Sequence, residues 1–290
     1  MNRRVEKANF LPQSRFINNM WKIYFKYFFL ALGGFCMLQA CQPASVDRGV
    51  PTFPMPMEAD LWELPDALDE ISGLAWYGDD QLVTINDEVG SFFIYHLDQR
   101  KLLEEMKFEK RGDFEGAAYV APYFYGVKSN GTLFKMHANS RKLEKFILPF
   151  TKRNNIEGLT INHNGQLLLA LKGNAGLQGE WEDFQAVYQI DPSAPKQALL
   201  AYQLPVDGDT GLSGIACHPK RPEVWILSHR SKELFVVHEI NGQLIKVYKL
   251  DKGRFPQAEG ICFSPEGRLF IASEKGKKKH GVILAFDDFE

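Results

Sequence analysis

A short phrase recurs five times along this chain: Ile71-Ser72-Gly73-Leu74, Phe114-Glu115-Gly116-Ala117, Ile156-Glu157-Gly158-Leu159, Leu212-Ser213-Gly214-Ile215 and Ala258-Glu259-Gly260-Ile261. Each copy places an apolar residue, then Ser or Glu, then Gly, before a strand-like apolar stretch. The glycines are spaced 43, 42, 56 and 46 residues apart, a period that belongs to solenoids and propellers. Within the first unit, strand-like stretches at 82–86 and 91–95 and a fourth strand at 101–108 are separated by turns such as Gly78-Asp79-Asp80. Four short strands in about 40 residues is the composition of a propeller blade. In the third unit Asn164-Gly165 is a hairpin signal, and a longer loop at 173–181 accounts for the 56-residue interval. The fifth unit is one strand short. The alternating run Ala59-Asp60-Leu61-Trp62-Glu63-Leu64 can supply that strand and close the ring, which removes an exposed sheet edge. The repeats therefore predict an all-β, five-bladed propeller closed by an N-terminal strand; six blades, the runner-up, requires a unit that the count does not contain.

The amino terminus is a different kind of sequence. Lys22 and Lys26 precede the apolar run 27–35, which leads into Leu38-Gln39-Ala40-Cys41. The run is shorter than the roughly 20 apolar residues of a spanning helix and reads as an export signal, with Met20 a natural start. Leu38-Gln39-Ala40-Cys41 resembles the lipobox of bacterial lipoproteins, and this resemblance implies cleavage before Cys41 with lipid on its sulfur and amino group. An uncleaved anchor and an ordinary secretory signal are the alternatives. Gln42, in place of Asp, implies an outer-membrane destination facing the periplasm. Pro43, Pro51, Pro54 and Pro56 make 41–57 an extended tether. The expected organisation is thus a signal peptide at 1–40, a tether at 41–57 and a propeller at 58–290. Net charge is only −2 over 290 residues, and no basic stripe interleaved with aromatics is present, so nucleic acid is not expected as a partner. Cys217 and Cys262 fall on opposite faces of equivalent strands by period-2 alternation, which predicts two free buried thiols.

The repeated motifs Ser72-Gly73-Leu74-Ala75, Asp113-Phe114-Glu115-Gly116, Ile156-Glu157-Gly158-Leu159, Leu212-Ser213-Gly214-Ile215 and Pro256-Gln257-Ala258-Glu259-Gly260-Ile261 resemble those of the SdiA-regulated, YjiK-like family of bacterial propellers over residues 58–290. The resemblance implies a five-bladed propeller, a bound calcium ion, and a hydrolytic role suggested by similarity to phytase-like and NHL-type enzymes.

If the units superpose, equivalent residues form rings around the central channel. The residue before each glycine gives Ser72, Glu115, Glu157, Ser213 and Glu259. The end of each second strand gives Asp87, Lys128, Lys172, His229 and Glu274. Carboxylates crowded into a narrow, partly dry mouth repel one another, and three remedies are open. A hard divalent cation such as Ca²⁺ accepts oxygen ligands, with Glu115, Glu157, Glu259, Asp87 and Glu274 as candidates. Internal ion pairs to Lys128 and Lys172 need no metal. Alternatively, one carboxyl retains a proton and serves as a general acid. His229 and Lys172 could also hold a small anionic ligand. No His-x-x-x-His or Cys-x-x-Cys pair, nucleophile elbow, Walker loop or dinucleotide fingerprint occurs. Two functions follow: a calcium-binding, lipid-anchored envelope propeller acting as a binding or scaffold module, or a metal-assisted hydrolase of a phosphoester or other ester, with Glu157, Lys172 and His229 as candidate catalytic residues.

Overall fold

The computed structural model describes residues 48–178, 180–182, 184–204, 206 and 210–287. The expected signal peptide, its lipobox and Cys41 lie outside them. Residues 48–290 form one compact unit. It opens with β1 (Thr52–Pro54) and β2 (Asp60–Glu63) and a 3-10 turn at Asp66–Leu68. The first blade is β3 (Ile71–Gly78), β4 (Gln81–Asn86), β5 (Ser91–His96) and β6 (Lys101–Lys107); the second is β7 (Phe114–Val120), β8 (Tyr123–Lys128), β9 (Thr132–His137) and β10 (Leu143–Ile147). The third is β11 (Ile156–Ile161), β12 (Leu167–Leu171), β13 (Gln185–Ile190) and β14 (Ala198–Leu204). The fourth is β15 (Leu212–Cys217), β16 (Glu223–Ser228), β17 (Glu233–His238) and β18 (Leu244–Lys249). The fifth is β19 (Ala258–Phe263), β20 (Leu269–Ser273) and β21 (Val282–Phe286), completed by β2. These are the five antiparallel blades of a propeller, and β2 occupies the vacant place in the fifth.

Second and third strands are largely apolar and buried, most completely in Leu167–Leu171, where all five residues are buried. Continuous apolarity is the pattern of a strand covered on both faces, and here a neighbouring blade covers each. The core is accordingly divided into five clusters, one at each junction between successive blades. Closure is fixed by β2, where Trp62 pairs opposite Ile283 and donates from Nε1 to the Leu97 carbonyl in the first blade at 3.0 Å. Residues 52–54, expected as free tether, are extended but paired: β1 adds to β18 in parallel as a fifth strand of the fourth blade. Buried Glu233 accepts from Arg48 at 3.0 Å and also from Lys249, holding that strand's entry in place.

The repeat glycines explain themselves at the axis. A Cβ on Gly73 would lie 2.5 Å from the Ala117 backbone nitrogen, one on Gly116 2.8 Å from that of Leu159, and one on Gly158 3.1 Å from that of Ile215. On Gly214 it would lie 2.5 Å from the Glu259 carbonyl oxygen, and on Gly260 3.0 Å from Leu74 Cβ, which brings the ring back to the first blade. Each glycine lets the next innermost strand approach to backbone contact. Gly73→Ala is therefore expected to force strand displacement costing about 1–3 kcal/mol, as overpacking does, and to lower the melting temperature by several degrees. An unchanged melt would remove close approach as the reason for glycine there.

Candidate functional site

Every innermost strand carries the same irregularity. Its ladder with the second strand skips one residue, between Ile71 and Gly73, Phe114 and Gly116, Ile156 and Gly158, Leu212 and Gly214, and Ala258 and Gly260. The unpaired residues are Ser72, Glu115, Glu157, Ser213 and Glu259, the first ring expected from sequence. A bulge leaves its extra residue outside the ladder and re-aims its side chain. Ser72 and Ser213 use that freedom locally, each donating from Oγ to a carbonyl of the next blade, Phe114 and Ala258 respectively, at 2.6 Å. With Ser72, the three glutamates help to line a small axial cavity of about 10 Å³, room for about one water.

A second ring surrounds the first. Backbone N–H groups of Asp87, Ser129, Lys172, His229 and Glu274 donate to the carbonyls of Glu70, Asp113, Asn155, Gly211 and Gln257, the residues that precede the five innermost strands. Four of its members match expectation; Lys128 does not. In β8 the residue equivalent to Leu82, Leu167, Val224 and Leu269 is Phe124, not Tyr123, because Phe124 stands opposite Tyr119 as Leu82 stands opposite Trp76. This moves Ser129 into the ring and places Lys128 Nζ 4.7 Å from the centre of the Phe114 ring. The carbonyl-bearing residues supply further groups that the sequence reading passed over, notably Glu70, Asp113 and Asn155. Their signal was present: each lies two residues before the Ser or Glu of its motif, the same-face spacing of an extended strand.

These groups form one electrostatic unit. Burial is the largest influence on Glu115 and pushes its carboxyl up to about 10, with Glu157, Asp113 and Glu259 adding repulsion. Burial likewise raises Glu259 well above the ordinary carboxylate value, reinforced by Glu157 and Glu274. Glu274 is pushed up to about 8 by burial, then by Glu70 and Asp87, and Asp87 to about 6 by burial, then by Glu88 and Glu70. Glu157 is also raised by burial, but it alone has strong compensation: Lys172 Nζ lies 3.1 Å and Asn155 Nδ2 2.6 Å from its Oε1. Thus Glu115, Glu157 and Glu259 line one small cavity, Glu274 is an electrostatic neighbour of Glu259 and Asp87 of Glu274, and one of the expected ion pairs, Lys172–Glu157, is formed. The buried Oδ1 of Asp87 has no hydrogen-bond partner. His229 is driven down to about 4 by burial, with Lys172 and Lys232 adding to the effect, so its imidazole is neutral at neutral pH. Its buried Nδ1 also lacks a hydrogen-bond partner and stands 3.5 Å from Glu259 Oε1.

Other titratable groups have structural tasks. The Nδ1 atoms of His137, His218 and His238 accept backbone N–H bonds in the turns that follow them. Cys217 and Cys262 are free, and burial raises both thiols. Among the described residues, three metal-ligating side chains converge within 4.8 Å only at Asp66, Asp69 and His280, where Asp69 already accepts from Lys275 and from the Gly281 amide. The channel carboxylates are more widely spread.

Fold and mouth together define a five-bladed propeller with an acidic axial opening. A family model described as SdiA-regulated matches residues 55–276, and the chain belongs to that family. A search of curated proteins returns no match. Solved structures of similar fold include the glutaminyl cyclase of Myxococcus xanthus, with 15% identity over 79% of this chain and 96% of that one and a TM-score of 0.57. A gluconolactonase from Xanthomonas campestris has 15% identity over 80% and 77% and a TM-score of 0.52. A luciferin-regenerating enzyme has 12% identity over 79% and 96% and a TM-score of 0.51. At such identities the likeness is one of fold.

A carboxyl whose folded-state value is raised holds a proton that the unfolded chain releases earlier. Its stability contribution is complete below the unfolded value near 4.5 and is lost as pH rises through about 8 for Glu274 and about 10 for Glu115. In chelator, the melting temperature is expected to fall steadily across that window, and Glu115→Gln to flatten the fall. A parent protein whose melt is level from pH 5 to 10 would contradict this account of the mouth.

Proposed function

We propose that the mouth is a divalent-cation site, calcium by donor type, in a lipid-anchored cell-envelope propeller that acts as a binding or scaffold module. One observation carries the reading: bulges on three blades project Glu115, Glu157 and Glu259 into one narrow opening, next to Glu274 and its neighbour Asp87, whose buried Oδ1 has no hydrogen-bond partner. Such carboxyls must either hold protons or share a cation, and all-oxygen donors suit a hard ion. Glu115, Glu259, Asp87 and Glu274 would hold it, with Glu157 joining from its pair with Lys172. Because no three of these side chains bring ligand atoms within 4.8 Å of one another, two of them would touch the ion directly and water would bridge it to the others. Lys172 and His229 give the same opening a cationic or hydrogen-bonding side, which suits a small anionic ligand, carboxylate or phosphate, placed beside the ion. Attachment through Cys41 at the periplasmic face of the outer membrane completes this reading of the chain.

A second reading, ester hydrolysis, is favoured by His229. A neutral imidazole 3.5 Å from the proton-holding Glu259 is poised to accept a proton from water. Lys172 would steady an anionic substrate, and Glu157, held by Asn155 and Lys172, would orient the attacking water. A bound cation would supply Lewis acidity to such chemistry. The gluconolactonase and glutaminyl cyclase that share this fold are enzymes by name, which supports the reading at the level of scaffold without carrying their residues here.

Melting of the purified protein in EDTA and after addition of Ca²⁺ or Mg²⁺ tests the first reading. A ligand at about 100 times its dissociation constant adds about 2.7 kcal/mol, so Ca²⁺ should raise the melting temperature by several degrees, more than Mg²⁺, and Glu115→Gln with Glu259→Gln should abolish the rise. An unshifted parent melt removes the cation. For the second reading, phosphoesters and lactones are assayed with the parent, Glu157→Gln and His229→Ala; either variant retaining full activity would exclude its residue from the chemistry.

A further inference from the structure

The five blades end in outer strands that are not equally protected. An outer strand exposes a row of unpaired N–H and C=O groups, and proteins blunt such edges with charge or a covering segment. In the fourth blade β18 is covered by β1. β6 carries Lys101, Glu104, Glu105 and Lys107, β10 carries Glu144 and Lys145, and β2 carries Asp60 and Glu63. The third blade differs. Its outer strand, Ala198-Leu199-Leu200-Ala201-Tyr202-Gln203-Leu204, has no charge in seven residues, and no described strand pairs with its outer edge. Leu199 and Leu200 stand 61% and 47% exposed on it. A skip in its ladder at Ala201 is shared with β6 and β18 and does not set it apart.

We infer that this edge pairs with the same strand of a second copy of the chain, antiparallel about a twofold axis, joining two blades into one continuous sheet. Two observations select that occupant. First, this molecule already accepts a fifth strand at the corresponding edge of the adjacent blade, through residues 52–54. Second, pairing about a twofold sets a strand against itself, and only β14 can do so without cost. Centred self-pairing would oppose Glu104 to Glu104 in β6 and Lys145 to Lys145 in β10, and like charges directly opposed are destabilising. In β14 the central residue is Ala201, so Leu200 would face Tyr202 and Leu199 would face Gln203 of the second copy, with no like charges opposed. Two seven-residue strands make a contact at the small end of specific interfaces, so the dimer is reversible and concentration-dependent.

The test is the protein mass of the intact chain in detergent, measured from micromolar to sub-millimolar concentration. The parent is expected to move from one chain mass to twice that mass. Leu200→Lys, and separately Leu199→Lys, should hold it at one chain mass while leaving the melting temperature unchanged, since both side chains face solvent. Ile147→Lys on β10 should leave dimerisation intact. A parent that stays at one chain mass throughout, or a dimer that survives both leucine substitutions, overturns the inference, as does a dimer lost equally in Ile147→Lys.

Discussion

Backbone contact between successive innermost strands is the constraint on which the molecule depends. Because a side chain at Gly73, Gly116, Gly158, Gly214 or Gly260 would collide with the next blade, the five strands close into a tight ring with a very small axial space. A tight ring leaves little room for the residues beside those glycines. The bulge at each position turns them out of the ladder, and three of them are glutamates. Fold and electrostatics are therefore one problem: the feature that closes the propeller also concentrates acid in a place where water is scarce. Hydrophobic burial between blades holds the structure together, and desolvation at the axis works against it.

How the two serines and three glutamates differ is informative. Ser72 and Ser213 satisfy themselves on the neighbouring blade's backbone and need nothing else. Glu157 is compensated by Lys172 and Asn155. Among the described residues Glu115 and Glu259 make no ion pair with a Lys or Arg side chain, and burial and neighbouring carboxylates favour the neutral form of both. The mouth is thus graded, with a paired side near the third blade and a proton-holding side elsewhere. Neutral His229 stands at the boundary. On the proposed readings, this gradation would let one opening serve either as a cation site with an anion beside it or as a place for proton transfer.

Much of this was legible in the sequence because the repeat is encoded in local physics. Apolar runs covered on both faces, turn residues and a glycine at each axial contact fix blade number, and the alternation at Leu61 to Leu64 reveals the closing strand. Two things were less legible. Register within the second blade depended on whether Tyr123 or Phe124 matches the buried residue of other units, and both are aromatic; one step moved Lys128 out of the ring and Ser129 into it. Pairing of Thr52–Pro54 with β18 depends on an edge distant in sequence, so local composition showed only that the segment is extended. Asp113 and Glu70 were accessible by alternation, because each lies two residues before its motif's Ser or Glu.

The central claim is that a cation takes the place of protons held by buried carboxyls at the axis. Proton release on binding tests it most directly: Ca²⁺ is titrated into the chelator-treated protein in weakly buffered solution near pH 7, and displaced protons are counted by pH-stat. With Glu115 at about 10 and Glu274 at about 8, both hold protons beforehand, so the account predicts release of at least one proton per ion and a smaller release from Glu115→Gln. Binding of Ca²⁺ with no proton displaced, or no binding at all, would contradict it.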